Sequence, residues 1–230
     1  MFASAMADAA ADKPVVVELF TSQGDSSCPA ADAVLAGLAK QDNVIALTWS
    51  VSIWDYAGWR DTLAIPLSNT RHSQYNARAG SAMVYTPQVF IDGQNAHVGS
   101  HKTEIEAGIA QQRSDASMQL DIAFSALEPG WVDVRFSAPL PANAQAHVVF
   151  YDDVHDVDVS AGENSGRTLR YTNVVRGAMV LDADEKKAAF RVDLSSMFAQ
   201  NCDAFAILVQ DNSSGKIIGA ATRRLRLKSS

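Results

Sequence analysis

The sequence predicts a mixed α/β segment followed by a β-rich antiparallel segment, within the α+β or α/β fold classes. Short β-branched runs alternate with segments of helical spacing up to about residue 113, and short alternating strands follow from about residue 116. Turn residues such as Glu128-Pro129-Gly130 separate these later strands. We therefore expect three parts: a flexible Ala-rich leader over residues 1–13, an α/β domain over 14–115, and an antiparallel, sandwich-like β-rich domain over 116–230.

The first half of the chain alternates strands and helices. Val15–Phe20 is short and β-branched, which is typical of a buried strand. Val34, Leu35 and Leu38 recur at helical spacing in an Ala-rich stretch that begins at Pro29, and proline suits a first helical position. In chain order, the predicted elements are strand Val15–Phe20, helix Pro29–Lys40, strand Val44–Val51, helix Ile65–Gly80, strands Gln88–Ile91 and Ala96–Val98, and helix Thr103–Gln112.

After Ser114 the pattern changes to short runs in which apolar and polar residues alternate. Runs of this kind, separated by Gly- and Pro-rich turns at fairly regular spacing, are typical of antiparallel sandwiches. The predicted strands are Met118–Phe124, Trp131–Phe136, Ala146–Tyr151, Thr168–Val175, Ala188–Val192, Phe205–Gln210 and Ile217–Arg226.

Composition excludes several classes of function. The 230 residues are 47% apolar with a net charge of −7, which excludes a disordered chain and argues against a nucleic-acid surface. Two cysteines are too few for a disulfide scaffold, and the apolar runs are too short to predict a membrane span. The sequence contains no phosphate loop, dinucleotide fingerprint or Gly-x-Ser-x-Gly motif. We expect no cofactor and no bound metal.

Residues 1–13 are nearly all small, with Ala-x-Ala spacings such as Ala9–Ala11. No basic stretch or continuous apolar stretch precedes these spacings, so the segment is not a complete signal peptide. We interpret it as the remnant of one, which predicts a periplasmic or secreted bacterial protein. The alternative is a frayed leader without a targeting role.

The chemically informative stretch is the turn between the first predicted strand and the first predicted helix. It places Cys28 at or near a helix N-terminus, where backbone N–H groups stabilise a thiolate. The carboxylate of Asp25 disfavours that thiolate, and because the two effects are of similar size the reactivity of Cys28 stays open. Much later, Thr86-Pro87 directly precedes a strand.

Motifs spread along nearly the whole chain match a known pattern. They are Glu18–Gly24, Ser26–Pro29 with Ala31-Asp32, Trp54–Tyr56 with Gly58-Trp59, Val84–Gln88 with Asp92-Gly93, Gly162–Asn164 with Gly166-Arg167, and Tyr171–Val175. Together they resemble a bacterial thioredoxin-like family known as domain of unknown function 1223. The resemblance implies an exported protein with a thioredoxin-like domain, a β-rich domain and a cis-proline at Pro87 beside Cys28. It implies no established reaction.

The sequence departs from this family at one important position. The family pattern reads C-S-S-C-P, and Asp25 stands where the first cysteine is expected. Thioredoxin-type exchange needs an attacking thiolate and a second thiol that resolves the mixed disulfide, so dithiol oxidoreductase activity is not expected. Asp25 is then either a repurposed catalytic or ligand-binding carboxylate, or a helix cap. Cys28 is either a residual reactive thiol or a buried small apolar residue.

Aromatic residues after the second predicted strand form a further candidate site. For Trp49 and Trp54 we favour core packing, with their polar tips satisfied at the rim. Tyr56 and Trp59 are better candidates for exposure. The binding surface that we predict beside Cys28 consists of Asp55, Tyr56, Trp59, Tyr85, Thr86 and Pro87.

Three further groups are weighed against structural roles. The acidic run 152–158 contains alternating valines and matches no zinc or EF-hand spacing, which favours a solvated strand or turn. Cys202 is interpreted as a buried free thiol, and the alternative is a disulfide with Cys28. A Gly-rich turn is a candidate for holding the two domains together through Glu163, Asn164 and Arg167.

These observations predict a thioredoxin-like protein with a degenerate D-x-x-C site and a non-dithiol binding or structural role in the cell envelope. One alternative is a monothiol redox enzyme in which Cys28 acts with an external thiol. The other is a cation or ligand binder that uses Asp25. The expected partner is a protein or a thiol-containing small molecule.

Overall fold

The computed structural model describes residues 14–114, 120–128, 130–181, 188–195 and 202–225. The predicted leader over residues 1–13 lies outside them. The described strands are β1 (Val15–Thr21), β2 (Val44–Ser50), β3 (Gln88–Ile91), β4 (Ala96–Val98), β5 (Ile122–Glu128), β6 (Trp131–Phe136), β7 (Ala144–Val159), β8 (Arg167–Val180), β9 (Ala189–Asp193), β10 (Ala204–Asp211) and β11 (Ile217–Arg224). The described α-helices are α1 (Cys28–Leu38), α2 (Pro66–Arg78) and α3 (Lys102–Ser114), and a short 3-10 helix spans Asp55–Ala57.

An eight-stranded mixed sheet runs through the molecule in the order β11-β10-β7-β8-β2-β1-β3-β4. β1 and β2 are parallel, whereas β3 and β4 are antiparallel to their neighbours. β8 joins the later strands to β2 through the parallel pair Thr48 and Val174. Among the later strands, each neighbouring pair is antiparallel: β8 with β7, β7 with β10, and β10 with β11. Strands from both predicted domains therefore share one sheet, and the domain boundary itself stays a prediction.

A second sheet of three antiparallel strands, in the order β5-β6-β9, packs on the later strands of the large sheet. Val132 and Val134 from β6 and Val192 from β9 share a buried apolar cluster with Val148 and Ile207 of the large sheet. Alternate residues of a strand face the same side, so each strand contributes every second residue to this interface. The predicted fold class, an α/β segment followed by an antiparallel β-rich segment, is confirmed.

The helices of the α/β segment cover the faces of the sheet near β1. Leu35 from α1 and Ile105 from α3 pack with Leu19 of β1 on one face. Tyr75 from α2 packs with Phe20 of β1 on the opposite face. This arrangement brings the end of β1, the start of α1 and the start of β3 together. No helix in the described part of the chain is long and apolar enough to cross a membrane.

Two differences from the predicted elements have a simple physical cause. β7 has 16 residues and continues through the acidic run 152–158, where the exposed Asp156 and Asp158 alternate with the half-buried Val157 and the buried Val159. The Asp55–Ala57 helix was not predicted, since three residues carry no periodicity. The first residues of the predicted strand Met118–Phe124 lie outside the described ranges, and β5 is described from Ile122.

Candidate functional site

The candidate site is built on the loop between β1 and α1. The Asp25 N–H donates to the Ser22 carbonyl at 3.3 Å, and the Cys28 N–H donates to the Asp25 carbonyl at 3.1 Å. These turns deliver the chain into α1, where Pro29 takes an early helical position that needs no N–H donor. Gly24 is required by close approach, because a Cβ there would lie 3.0 Å from the Trp54 Cβ and 3.2 Å from its carbonyl oxygen.

Asp25 is nearly enclosed, with 6% of its surface exposed. Its Oδ1 accepts hydrogen bonds from the Ser27 N–H at 2.9 Å and the Ser27 hydroxyl at 2.6 Å. Its Oδ2 accepts from the Thr86 hydroxyl at 2.5 Å and lies 3.3 Å from the Cys28 Sγ. The carboxylate therefore closes a turn at Ser27, directly before α1, and also ties this turn to the segment before β3.

Cys28 is buried without any exposed surface. Its sulfur accepts the Ser22 N–H at 3.3 Å and faces the Asp25 carboxylate at the same distance. Burial raises the pKa of the Cys28 thiol strongly, and the negative charges of Asp32 and Asp25 raise this pKa further. The protonated thiol is therefore the stable form at neutral pH, and of the two interpretations of Cys28 the geometry favours the buried apolar residue.

The Thr86–Pro87 peptide bond is cis, as the family resemblance implied. The Trp54 indole N–H donates to the Thr86 hydroxyl at 2.7 Å, and that hydroxyl donates to Asp25 Oδ2. Gly99 backs the proline, since a Cβ at Gly99 would lie 3.0 Å from the Pro87 Cβ. One chain of hydrogen bonds thus joins an aromatic side chain, the cis-proline segment and the Asp25 loop.

The Gly-rich turn between β7 and β8 contacts the site loop directly. The Asn164 side-chain amide donates to the carbonyls of Gln23 and Asp25, each at 3.0 Å. Glu163 Oε2 accepts the Ser26 N–H at 3.0 Å, and this hydrogen bond lowers the pKa of Glu163. The Arg167 guanidinium donates to the side-chain oxygen Oδ1 of Asn164 at 2.7 Å. The turn that the sequence offered as a link between the two halves does contact the site loop.

Two of the predicted binding residues, Asp55 and Trp59, have structural partners. Asp55 Oδ1 accepts the Asp61 N–H at 3.0 Å, and the Trp59 indole donates to Gln23 Oε1 at 2.8 Å. Trp59 is half-buried rather than exposed. Asp61, which sequence reasoning missed, accepts the Gln23 N–H at 2.8 Å and the Ser50 hydroxyl at 2.9 Å. Trp59 and Asp61 therefore both hold Gln23 of the β1–α1 loop in place.

Exposed apolar side chains lie in the two segments that contain Trp54 and Thr86, which are joined by a hydrogen bond. Tyr56 is 80% exposed, Met83 75% and Tyr85 38%. Trp54, for which core packing was predicted, is half-buried, and its ring lies 5.9 Å from the Tyr56 ring. Because Met83 and Tyr85 precede Thr86 in sequence, all four side chains belong to the neighbourhood of the cis-proline. We call Trp54, Tyr56, Met83 and Tyr85 the apolar edge.

A second polar group that sequence reasoning missed lies near Cys28, and we call it the inner polar cluster: Thr21, Asp32 and Tyr171. All three residues are buried. Thr21 Oγ1, Asp32 Oδ1 and Tyr171 Oη form no hydrogen bond of good geometry among the described residues, although the nearby Thr21 hydroxyl lowers the pKa of both Asp32 and Cys28. Burial raises the pKa of Asp32 to about 8, and the nearby Asp61 and Asp25 charges add to this shift. The available signal was the spacing of Asp32, four residues after Cys28 on the same helix face.

The remaining sequence candidates are structural. Both cysteines are free, so Cys28 and Cys202 form no disulfide. No group of three or more His, Cys, Asp or Glu side chains within the described ranges is arranged to hold a metal ion. In the acidic run, the His155 Nε2 lies 2.6 Å from the Asp152 Oδ2. Trp49 is buried at 1% exposure in the core, as predicted.

The fold and the site define an α/β protein with a β-rich second half, whose site cysteine begins a helix beside a cis-proline and faces a carboxylate. The chain belongs to the family described as "Protein of unknown function (DUF1223)", whose sequence profile matches residues 16–210. The match covers most of the chain and includes every residue of the site loop. It assigns no reaction.

Two solved structures share this architecture. Protein AGR_C_4864 from Agrobacterium tumefaciens is 25% identical, with a TM-score of 0.79, and the match covers 96% of this chain and all of that one. HBP35 of Porphyromonas gingivalis is 12% identical, with a TM-score of 0.58, and the match covers 95% of this chain and 78% of that one, which shows a shared fold. No curated protein matches the sequence.

Proposed function

We propose that this protein is a thioredoxin-like binding protein of the bacterial cell envelope that holds another polypeptide at its apolar edge without thiol exchange. The observation that carries the proposal is the pairing of Asp25 with Cys28. A carboxylate oxygen lies 3.3 Å from the sulfur, at the position where dithiol chemistry needs a second sulfur. The Ala-rich residues 1–13 and the family resemblance support the location.

The monothiol alternative has little support from the geometry. A nucleophilic cysteine needs an accessible thiolate, and such thiolates are found in electropositive, partly exposed surroundings. The Cys28 sulfur is enclosed, and the carboxylates of Asp25 and Asp32 both raise its pKa. An external thiol would have to displace the Asp25 hydrogen bonds before it reached the sulfur.

The cation-binding alternative through Asp25 is also disfavoured. Both carboxylate oxygens are engaged, with Ser27 on Oδ1 and with Thr86 and Cys28 on Oδ2. A cation would replace donors that the fold already supplies. Asp25 therefore serves to hold the apolar edge in place relative to α1, and the binding surface is the edge itself.

Polypeptide binding is favoured because the apolar edge combines large exposed side chains with a fixed support. Aromatic and methionine side chains are enriched at the centres of protein interfaces, where they bury much apolar area. Tyr56 and Met83 are each at least 75% exposed, and they contribute little to the folding of this chain. Their exposure is explained if a partner covers them.

Absence of thiol exchange is tested by comparing wild-type protein with Cys28→Ser in glutathione-dependent reduction of insulin. We expect both proteins to give the rate of glutathione alone, and Asp25→Cys, which restores the family motif, to serve as the positive control. A thiol titration with Ellman's reagent should find neither cysteine reactive in native protein and both reactive after denaturation. Faster insulin reduction by wild type than by Cys28→Ser would overturn this part of the proposal.

Binding is tested with a permanently unfolded probe, reduced and carboxymethylated α-lactalbumin. The double variant Tyr56→Ser/Met83→Ser should bind this probe at least tenfold more weakly than wild type. Trp131→Ser is the matched control, because Trp131 is 40% exposed on β6 in the other sheet. Equal affinity of wild type and the double variant, or an equal loss in Trp131→Ser, counts against the apolar edge.

A further inference from the structure

A cleft of about 830 Å³ lies between helix α1 and strand β8, away from the apolar edge. The α1 side presents Asp32, Ala36, Gly37 and Lys40, and the β8 side presents Arg167 and Arg170. This volume falls in the range of about 300–1,000 Å³ typical of small-molecule sites. Small side chains on the helix leave the cleft open, and a Cβ built on Gly37 meets no atom within 4 Å.

The lining of the cleft carries a charge opposite to that of the whole chain. Four cationic side chains line it: Lys40, Arg167, Arg170 and Arg224. The lining acids are Asp32 and Asp153, whereas the chain as a whole has a net charge of −7. Burial raises the pKa of Asp32 to about 8, so near neutral pH this carboxyl is mostly protonated and adds little negative charge. A locally positive cleft in an acidic protein attracts anions.

Two arginines of the cleft, Arg167 and Arg170, have N–H donors that an anion can use, whereas Arg224 pairs with the buried Asp153. Arg170 pairs with Asp156 at 3.0 Å, and their side chains are 67% and 49% exposed. Exposed ion pairs contribute little net stability, so replacing the Asp156 carboxylate by an anionic ligand costs little. A guanidinium has five N–H donors, and one of those of Arg167 is bound to the Asn164 side chain. Lys40 is exposed at the end of α1.

The floor of the cleft contains an unsatisfied polar group. Asp32 lines the cleft with only 6% of its surface exposed, and its Oδ1 forms no hydrogen bond of good geometry among the described residues, although the Thr21 hydroxyl is near enough to lower its pKa. An unsatisfied buried polar atom calls for an explanation in a native structure. A bound ligand with a hydroxyl or other polar group near the floor supplies one.

We propose that the cleft between α1 and β8 is a binding site for a small organic polyanion, held by Lys40, Arg167 and Arg170 and seated against Asp32. Carboxylate and phosphate groups both match the planar donor pattern of a guanidinium. Two or more anionic groups are required, because the cationic side chains lie on both walls of the cleft. This site is separate from the apolar edge and does not depend on the proposed polypeptide binding.

Calorimetric titration tests the site with citrate and with pyrophosphate, and acetate serves as the monoanion control. We expect saturable binding of at least one polyanion, and its identity distinguishes a carboxylate ligand from a phosphate ligand. The double variant Lys40→Gln/Arg170→Gln should weaken that binding at least tenfold. Arg135→Gln, which removes an exposed arginine on β6, should bind like wild type.

A second variant tests the location without removing charge. Gly37→Leu places a side chain in the open space of the cleft, and leucine favours a helix more than glycine does, so the fold is kept. We expect this variant to unfold at the wild-type temperature or above it and to lose at least tenfold in polyanion affinity. The proposal is overturned if neither polyanion binds saturably, if acetate binds as tightly, or if Gly37→Leu binds like wild type.

Discussion

Two buried polar clusters lie on opposite faces of β1, and they differ in how completely their hydrogen bonds are formed. Glu18 faces α2, where Arg71 donates to its carboxylate at 2.7 and 3.0 Å and the Tyr75 hydroxyl donates to Glu18 Oε2. Gln210 from β10 donates to the Tyr75 hydroxyl at 3.1 Å. We call these four residues the Glu18 cluster. The inner polar cluster, which begins three residues later at Thr21, has three polar atoms that form no hydrogen bond of good geometry among the described residues.

The contrast separates architecture from candidate function. A buried charge is tolerated when it is paired and its remaining hydrogen bonds are formed, and the Glu18 cluster meets that condition while it connects β1, α2 and β10. The Arg71 guanidinium also lies over the Trp49 and Tyr75 rings, at 5.2 and 4.7 Å. A buried polar group without a hydrogen bond calls for an explanation, such as a catalytic role or a bound ligand. Within the inner polar cluster, Asp32 lines the polyanion cleft and follows Cys28 by four residues on α1.

The largest effect is expected from breaking the Glu18 cluster. Arg71→Met removes the cation and leaves the Glu18 carboxylate buried without a counter-charge, and we expect a loss of about 3–5 kcal/mol in the free energy of unfolding. Urea denaturation followed by circular dichroism measures this loss.

The double variant Glu18→Leu/Arg71→Met is the control, because it removes both charges together. It should be more stable than Arg71→Met alone, since no buried charge is left without a partner. A single variant that stays within about 1 kcal/mol of wild type would mean that the cluster is not a buried ion pair in solution.

The comparison also predicts how stability depends on pH. Because the pKa of Asp32 rises from 3.8 to about 8 on folding, the folded protein binds more protons than the unfolded chain between pH 4 and 8. The free energy of unfolding should therefore fall as pH rises through this window, by up to about 1.4 kcal/mol from Asp32 for each pH unit. In Asp32→Asn the side chain stays neutral, and this part of the decrease should disappear.

Chemical denaturation at pH 5, 6, 7 and 8 measures the dependence in wild type and in the variant. Asp42→Asn is the matched control, because Asp42 is exposed between α1 and β2. The same pH dependence in wild type and Asp32→Asn would show that Asp32 is ionised in the folded protein at neutral pH, which contradicts the contrast between the clusters.

Much of this architecture is predictable from the sequence, and the unpredicted parts have a common physical reason. Strands such as Gln88–Ile91 and helices such as Ile65–Gly80 follow from local periodicity and from proline and glycine at their ends. The juxtaposition of Asp25, Cys28 and Thr86 follows from a family resemblance. The proximity of Asp32 and Tyr171 was not predicted, because it depends on how β8 pairs with β2. No local sequence pattern indicates which distant strands pair.

The smallest effect is expected from removing one hydroxyl oxygen from each cluster. Tyr75→Phe removes a hydroxyl that donates to Glu18 and accepts from Arg71 and Gln210, so we expect a loss of about 1–2 kcal/mol in the free energy of unfolding. Tyr171→Phe removes a hydroxyl without a partner among the described residues, and its cost should stay within about 0.5 kcal/mol.

Both tyrosine side chains are buried, so the two substitutions are matched in chemistry and in setting, and urea denaturation measures both. Their difference therefore reports the hydrogen bonds alone. Equal losses would mean that an ordered water molecule already satisfies Tyr171, since a bridging water contributes nearly as much as a direct hydrogen bond. In that case the two clusters differ only in whether their hydrogen bonds are direct or mediated by water.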